Sequence, residues 1–315
     1  MCGNLVLLTL LIAQAFSGTV VCAAGNPAKG NPGNPQNCSE AMVFGGSPDW
    51  PDPLIVSAAQ EKVEVPIIMY HLITKNQQNL GKYGITPKEM ENDLIYLKDN
   101  GYETVLMRDL INYVRGEGEL PEKPIVLTFD DGNSSDYVYL FPLLKKYGMK
   151  AVCSIVGKFT DENSKLDGRY GKPNLDWEQV KEMQREGFIE IQNHSYDMHG
   201  WNGSGKLKNE SVEEYQARFY ADLEKTQAKV REATGLAPTT FVYPLGVIGK
   251  GSLEVLKKLE IQASLSCWEG INIVTKGEPE CLYAMRRAIR KSGQPVSDVL
   301  TGAYLRLKQE KANSA

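Results

Sequence analysis

From residue 65 to residue 290 the chain alternates short apolar runs with helix-like stretches, and this alternation limits the fold more than any other feature. Residues 65–71 form the first strand-like run. Thr86-Pro87-Lys88-Glu89 is then a capping box with proline at the first helical position, Met90, Leu94 and Leu97 recur at helical spacing, and Gly101 closes the helix. Residues 103–107 are strand-like and 108–114 a short helix. Residues 124–131 are a strand, and 137–147 a helix with Tyr137, Leu140, Phe141 and Leu144 on one face. Strands over 150–156 and 188–193 bracket a helix over 177–186 capped by Asp176, and Ser211 with Glu214 opens a helix to about residue 233. Strand-like runs at 239–243, 263–267 and 285–290, with a helix over 253–259, complete the series. Repeated βα units with short connections predict a parallel sheet closed or nearly closed into a barrel with helices outside. In such barrels the chemistry gathers at the C-terminal ends of the strands.

The 315 residues suit one large domain or two small ones, and a hydrophobic content of 42% is ordinary for a chain with a full core. A net charge of −4 with both signs interspersed and no basic stripe excludes nucleic acid as the expected partner. Residues 1–24 are read as a signal peptide: the apolar run 5–16 is too short to span a bilayer comfortably, and small residues follow it. Cleavage would leave no transmembrane segment. Cys22 as a lipid-modified cysteine is disfavoured by the larger Val21 before it. Residues 25–36, rich in Asn, Gly and Pro, read as a flexible tether, and 37–62 as an N-terminal extension. The catalytic domain is then expected over 63–292, with a C-terminal helix and tail over 293–315. Four cysteines remain after cleavage, Cys38, Cys153, Cys267 and Cys281, with no Cys-x-x-Cys spacing. Cys153 reads as a buried small hydrophobe, and a Cys267–Cys281 disulfide is left open.

Thr128-Phe129-Asp130-Asp131-Gly132 ends the strand over 124–131. Two adjacent carboxylates at a strand end are costly unless a cation or a proton-transfer role uses them, and the glycine behind them permits a sharp turn. All three histidines of the chain, His71, His194 and His199, lie at or just past the ends of strand-like runs. Residues five apart would diverge by roughly 140° on a helix and face opposite sides of a strand, so His194 is expected to end its strand and His199 to curl back from the loop. A carboxylate and two imidazoles suit zinc or a similar first-row divalent ion, with a position left for water and substrate. The alternative is one core histidine bonded to backbone and one surface histidine.

These motifs resemble the polysaccharide deacetylase family (carbohydrate esterase family four), over residues 65–290. The resemblance implies a distorted (β/α) barrel of about seven parallel strands, and hydrolysis of acetyl groups on sugars. It implies Asp131, His194 and His199 as metal ligands and Asp130 as catalytic base. Residues 241–246, with Tyr243, Pro244 and Leu245, resemble a third family motif that lines the substrate site and supplies an oxyanion-binding N–H at Leu245. Three departures mark a branch that includes poly-N-acetylglucosamine deacetylases: the histidines are five apart, Val242 replaces the arginine of that motif, and no histidine follows His199. In that branch the general acid comes from the early strand, here His71. Arg287, in a run loosely similar to a later Pro-Arg strand, is the candidate substitute for the missing arginine.

Apart from the resemblance, a divalent ion, Asp130 as proton acceptor and His71 as donor suit hydrolysis of an unreactive amide. Zinc is the first expectation, with cobalt, nickel, manganese or iron as alternatives. Trp201 and Trp268 past strand ends offer stacking surfaces for sugar rings, and equally packing roles. The expectation is a secreted or cell-surface, monomeric, metal-dependent deacetylase acting on an acetylated glycan. An O-acetyl esterase and a non-catalytic glycan-binding wall protein are the alternatives.

Overall fold

The computed structural model describes residues 61–167 and 171–314. The expected signal peptide, the tether, Cys38 and nearly all of the N-terminal extension lie outside the described residues. Seven parallel strands form the centre: β1 (Ile67–Tyr70), β2 (Pro124–Phe129), β3 (Ala151–Ile155), β4 (Ile189–Asn193), β5 (Thr240–Val242), β6 (Ala263–Leu265) and β7 (Ala288–Ile289). Their order is β6-β5-β4-β3-β2-β1-β7, and the short strand Glu103–Thr104 adds to the start of β2. The sheet curls. Just before β7, Met285 makes a parallel bridge to Leu265 of β6, so the two edges meet and a distorted (β/α) barrel results.

Among the described residues eight α-helices accompany the strands: α1 (Pro87–Asp99), α2 (Met107–Arg115), α3 (Phe141–Tyr147), α4 (Gly157–Ser164), α5 (Trp177–Arg185), α6 (Val212–Thr234), α7 (Ser252–Lys258) and α8 (Val296–Ser314). The capping boxes at Thr86, Asp176 and Ser211 form, each satisfying two backbone groups that a helix start leaves open. The expected helix over 137–147 begins instead as a π-turn, Asp136–Leu140, because Pro142 lacks the N–H that regular winding would use there. The expected strand over 103–107 is cut to two residues, and Met107 already opens α2. Pro66 breaks the first expected strand. Residues before it, Lys62–Val65, pair antiparallel with a strand absent from the sequence reading, Asn272–Thr275.

Alternation along the strands sorts side chains into two cores. Ile125, Leu127 and Phe129 of β2 pack outward under the helices, while Val126 lies in the barrel interior. Leu106, Met107, Leu110 and Val114 of the α2 segment join that interior cluster and plug the N-terminal end of the barrel. Filling one end with a helix leaves the other, where the strands finish, as the end that can hold a pocket.

Candidate active site

Inward residues continue into the pocket. Above Val126 and Thr128 of β2 comes Asp130, above Ile67 and Met69 of β1 comes His71, and above Glu190 and Gln192 of β4 comes His194. With Asp131, His199, Lys82, Tyr83, Leu245, Cys267, Glu269 and Ile289 they line a cavity of about 420 Å³. Asp131, Ser195 and Leu245, all just past strand ends, adopt left-handed backbone with φ of 76°, 75° and 57°. Such conformations cost of order 1–3 kcal/mol each and are kept where surrounding structure overrides them. Gly132 follows in the same region, and a Cβ there would lie 2.9 Å from Ile155 Cγ2, so only glycine permits the turn that follows the two aspartates.

Asp131 Oδ1 lies 2.9 Å from His199 Nε2 and 3.5 Å from His194 Nε2, and the ligand atoms of the three residues lie within 4.8 Å of one another. His199 reaches this position because Ser195 folds the loop: its N–H donates to Asn193 Oδ1 and its Oγ accepts from the Met198 N–H. His194 Nδ1 stands 2.7 Å from the carbonyl of Val242. A carbonyl only accepts, so Nδ1 carries a proton and Nε2 is the ring atom turned toward the carboxylate. Two imidazole nitrogens and a carboxylate oxygen converging on one point make a donor set that fits a divalent metal ion. Burial opposes ionisation of Asp131, but His194 and His199 outweigh it and hold the carboxyl far below the usual range. The bond to Asp131 raises His199.

Asp130 is buried beside this set and differently held. Its Oδ1 accepts from Arg287 Nη1 at 2.8 Å and from Ser154 Oγ at 2.9 Å. Its Oδ2 is 3.9 Å from His71 Nε2. Arg287 is fully buried and is itself fixed by Nε to Ser266 O (2.8 Å) and Nη1 to Thr128 Oγ1 (3.2 Å). Burial would raise the Asp130 carboxyl, yet Arg287, His194 and His71 hold it at about 2. It is therefore an ionised carboxylate with one oxygen oriented and one left facing the pocket. Burial lowers His71, with Asp130 and Asp131 pulling the other way. The Tyr83 ring packs edge-on against the imidazole at 4.8 Å.

The structure thus brings Asp130, Asp131, His71, His194, His199, Arg287 and Leu245 to one place. It does not bring Tyr243 there: with Phe241 it faces outward into the cluster under α6 and α7, and its hydroxyl meets Ser252 Oγ at 2.9 Å. The expectation that Tyr243 lines an acetyl pocket is corrected by strand parity, since it is Val242 between them that faces inward. Pro244 is buried in the following turn and also lies outside the cavity lining. Trp268 stands at the rim between the lining residues Cys267 and Glu269. Cys267 and Cys281 are free thiols. Ser154, Lys82, Tyr83 and Glu269 were not singled out from the sequence. For Ser154 a signal existed, because inward parity on β3 places it beside the end of β2.

Among curated proteins, the chain resembles a poly-β-1,6-N-acetyl-D-glucosamine N-deacetylase of Escherichia coli (strain K12), 26% identical over 257 residues. That match covers 74% of this chain but only 38% of the relative. A putative polysaccharide deacetylase YxkH of Bacillus subtilis (strain 168) is 27% identical, covering 78% of this chain and 77% of that one. In fold, the chain superposes on a de-N-acetylase of Aggregatibacter actinomycetemcomitans with a TM-score of 0.65 at 24% identity, covering 76% of this chain and 99% of that one. Residues 117–264, which run from just before β2 into β6 and include both aspartates, His194 and His199, match the sequence model of the polysaccharide deacetylases. Over these residues the chain is thus similar to the polysaccharide deacetylase family.

Proposed function

We propose that this protein is an exported, metal-dependent hydrolase that removes N-acetyl groups from a carbohydrate polymer: peptidoglycan, poly-N-acetylglucosamine or a chitin-like glycan. The observation that carries the reading is Asp130, ionised and buried, with Oδ1 held by Arg287 and Ser154 and Oδ2 open toward His71 beside the Asp131–His194–His199 set. Asp131, His194 and His199 would hold the ion, zinc by the donor set, with cobalt, nickel, manganese or iron able to replace it. Bound there, it would polarise the acetyl carbonyl and make water a better nucleophile.

Asp130 acts as general base, taking the proton of the attacking water on Oδ2 while Arg287 fixes the other oxygen. His71 delivers a proton to the departing sugar amine. Burial lowers the His71 imidazole, with Asp130 and Asp131 pulling the other way without reversing it, so once protonated it is a stronger acid than an ordinary imidazolium. The backbone N–H of Leu245, in its left-handed turn at the cavity wall, is the donor for the developing oxyanion. Trp268 contributes a stacking face at the rim. The catalytic domain spans 63–292, and residues 1–24 direct export. The names of the two curated relatives support a polysaccharide substrate, and this chain spans 38% of the first and 77% of the second.

The test is acetate release by metal-stripped protein before and after adding zinc or cobalt, on N-acetylglucosamine oligomers, purified peptidoglycan and O-acetylated xylan. Acetate from an N-acetylated glycan, only with metal, is the expected result. Release from xylan alone would make the protein an esterase, and no release despite stoichiometric metal binding would leave a glycan-binding role.

A further inference from the structure

Large apolar side chains that remain exposed are not spread evenly over the described surface. The aromatic ones, Tyr83, Trp201 and Trp268, all stand on loops that follow barrel strands, namely β1, β4 and β6, and so at the pocket end. The others are aliphatic, and most lie on the outer helices or at their ends. Trp201 is the extreme case at 93% exposed. Burying a side chain of that size is worth a few kcal/mol, so displaying it uncovered needs a reason.

All three are displayed from anchored backbone. The turn bearing Trp201 is closed by the Gly203 N–H to Gly200 O (2.9 Å) and is seated by Ser204 Oγ on Val247 O (2.8 Å). A Cβ on Gly203 would lie 2.6 Å from Pro244 O, so only glycine lets this turn press against the one that carries Leu245. The Trp268 carbonyl accepts from the Arg287 N–H at 2.8 Å, and the Tyr83 carbonyl from the Leu72 N–H at 3.0 Å. In the ring of strands β7 lies between β1 and β6, so Tyr83 and Trp268 flank one side of the mouth. Trp201, following β4, stands on the other.

We infer that these aromatics form a track for a glycan chain that crosses the mouth, with sugar units bound on both sides of the one being deacetylated. The inference rests on the deacetylase reading and deepens it: the enzyme acts on internal units of a polymer, not on chain ends or small amides. Pyranose rings present flat C–H faces that pack on aromatic rings. A cavity of about 420 Å³ is near the lower end of small-ligand pockets, so a longer chain must lie on the rim. A bilayer is a poorer match, because polar pocket residues such as Lys82 and Glu269 interrupt the apolar surface.

The experiment uses N-acetylglucosamine oligomers of two to six units with metal-loaded enzyme, and measures hexamer binding to metal-stripped protein by calorimetry. Expected are a kcat/KM that rises with length and a freed amine at an internal unit of the hexamer. Trp201→Ala should lower the hexamer-to-dimer ratio roughly five- to tenfold, mainly through KM, and weaken hexamer binding similarly. Leu236→Ala, exposed at the far end of α6, should change neither. A flat length profile, terminal deacetylation, or hexamer binding indifferent to Trp201→Ala would overturn the track. Absence of acetate from every oligomer, with Trp201-dependent hexamer binding intact, would instead retire the deacetylase reading and leave the track standing.

Discussion

Arg287 and Arg290 come from the same last strand segment, three residues apart, and each is buried against an aspartate. Parity sends them to opposite faces. Arg287 points into the barrel and meets Asp130, while Arg290 points out beneath α1 and meets Asp93. The outer pair is saturated: Arg290 reaches both Asp93 oxygens (2.7 and 3.1 Å), and the Tyr70 hydroxyl and Val296 N–H donate to them as well. Burial raises the Asp93 carboxyl in spite of these partners. The inner pair is one-sided, with every hydrogen bond on Asp130 Oδ1 and Oδ2 turned to the pocket. A buried ion pair whose oxygens are all filled can only hold elements together, here α1, β1, β7 and α8. One with an oxygen left open can accept a proton.

The largest effect should come from removing that open oxygen. Asp130→Asn is expected to lower kcat by about 10²–10⁴-fold, the range of a lost general base, while metal content measured by mass spectrometry stays stoichiometric. More than a tenth of wild-type turnover would sink the role of Asp130. Next, Arg287→Ala and Arg290→Ala should each cost about 3–5 kcal/mol in denaturant unfolding, since each strands a buried carboxylate. Only Arg287→Ala should also reduce turnover per folded molecule. Equal loss of turnover in both variants would mean that the two pairs are not functionally distinct.

That distinction was partly legible in the sequence. The Asp130-Asp131-Gly132 turn and the three histidines could be placed because strand ends in a βα barrel converge on one mouth, and the capping boxes fixed where helices begin. Arg287 stood out only against the absence of an arginine at Val242. Tyr243 was misplaced because its motif was read ahead of its parity with Phe241. The helix α4, Gly-Lys-Phe-Thr-Asp-Glu-Asn-Ser, was missed because it has no side-chain cap and a single large apolar residue. Nothing local marks Asp93 as the partner of Arg290, 197 positions away; that pairing exists only once α1 and α8 have docked on the barrel.

A third buried carboxylate sharpens the comparison from the opposite end of the barrel. Among the described residues Glu190 forms no arginine ion pair; it accepts from the Met107 N–H at the start of α2, and burial, only partly offset by Arg108, pushes it up to about 7. Its folded value lies above its ordinary one, so the folded state holds the proton more tightly. Stability from this group is then full below about pH 4, declines as pH rises toward 7, and stays low beyond. Glu190→Gln keeps an acceptor for Met107 but cannot ionise. It should match wild type at pH 4 and exceed it by up to roughly 3 kcal/mol at pH 8 in urea unfolding. Parallel pH profiles for the two proteins would show that Glu190 does not titrate in this range.

The smallest effect concerns the second donor on Asp130. Ser154→Ala removes one of two hydrogen bonds to Oδ1 and leaves the guanidinium in place. A hydrogen bond to a charged group contributes about 1.5–3 kcal/mol at most, and Arg287 alone still orients the carboxylate. The expected loss is about three- to tenfold in kcat with KM unchanged, well short of Arg287→Ala. If Ser154→Ala instead costs as much turnover as Arg287→Ala, the hydroxyl orients the base and the arginine merely neutralises it. The inner pair would then resemble the outer one, and the open oxygen alone would separate function from scaffold.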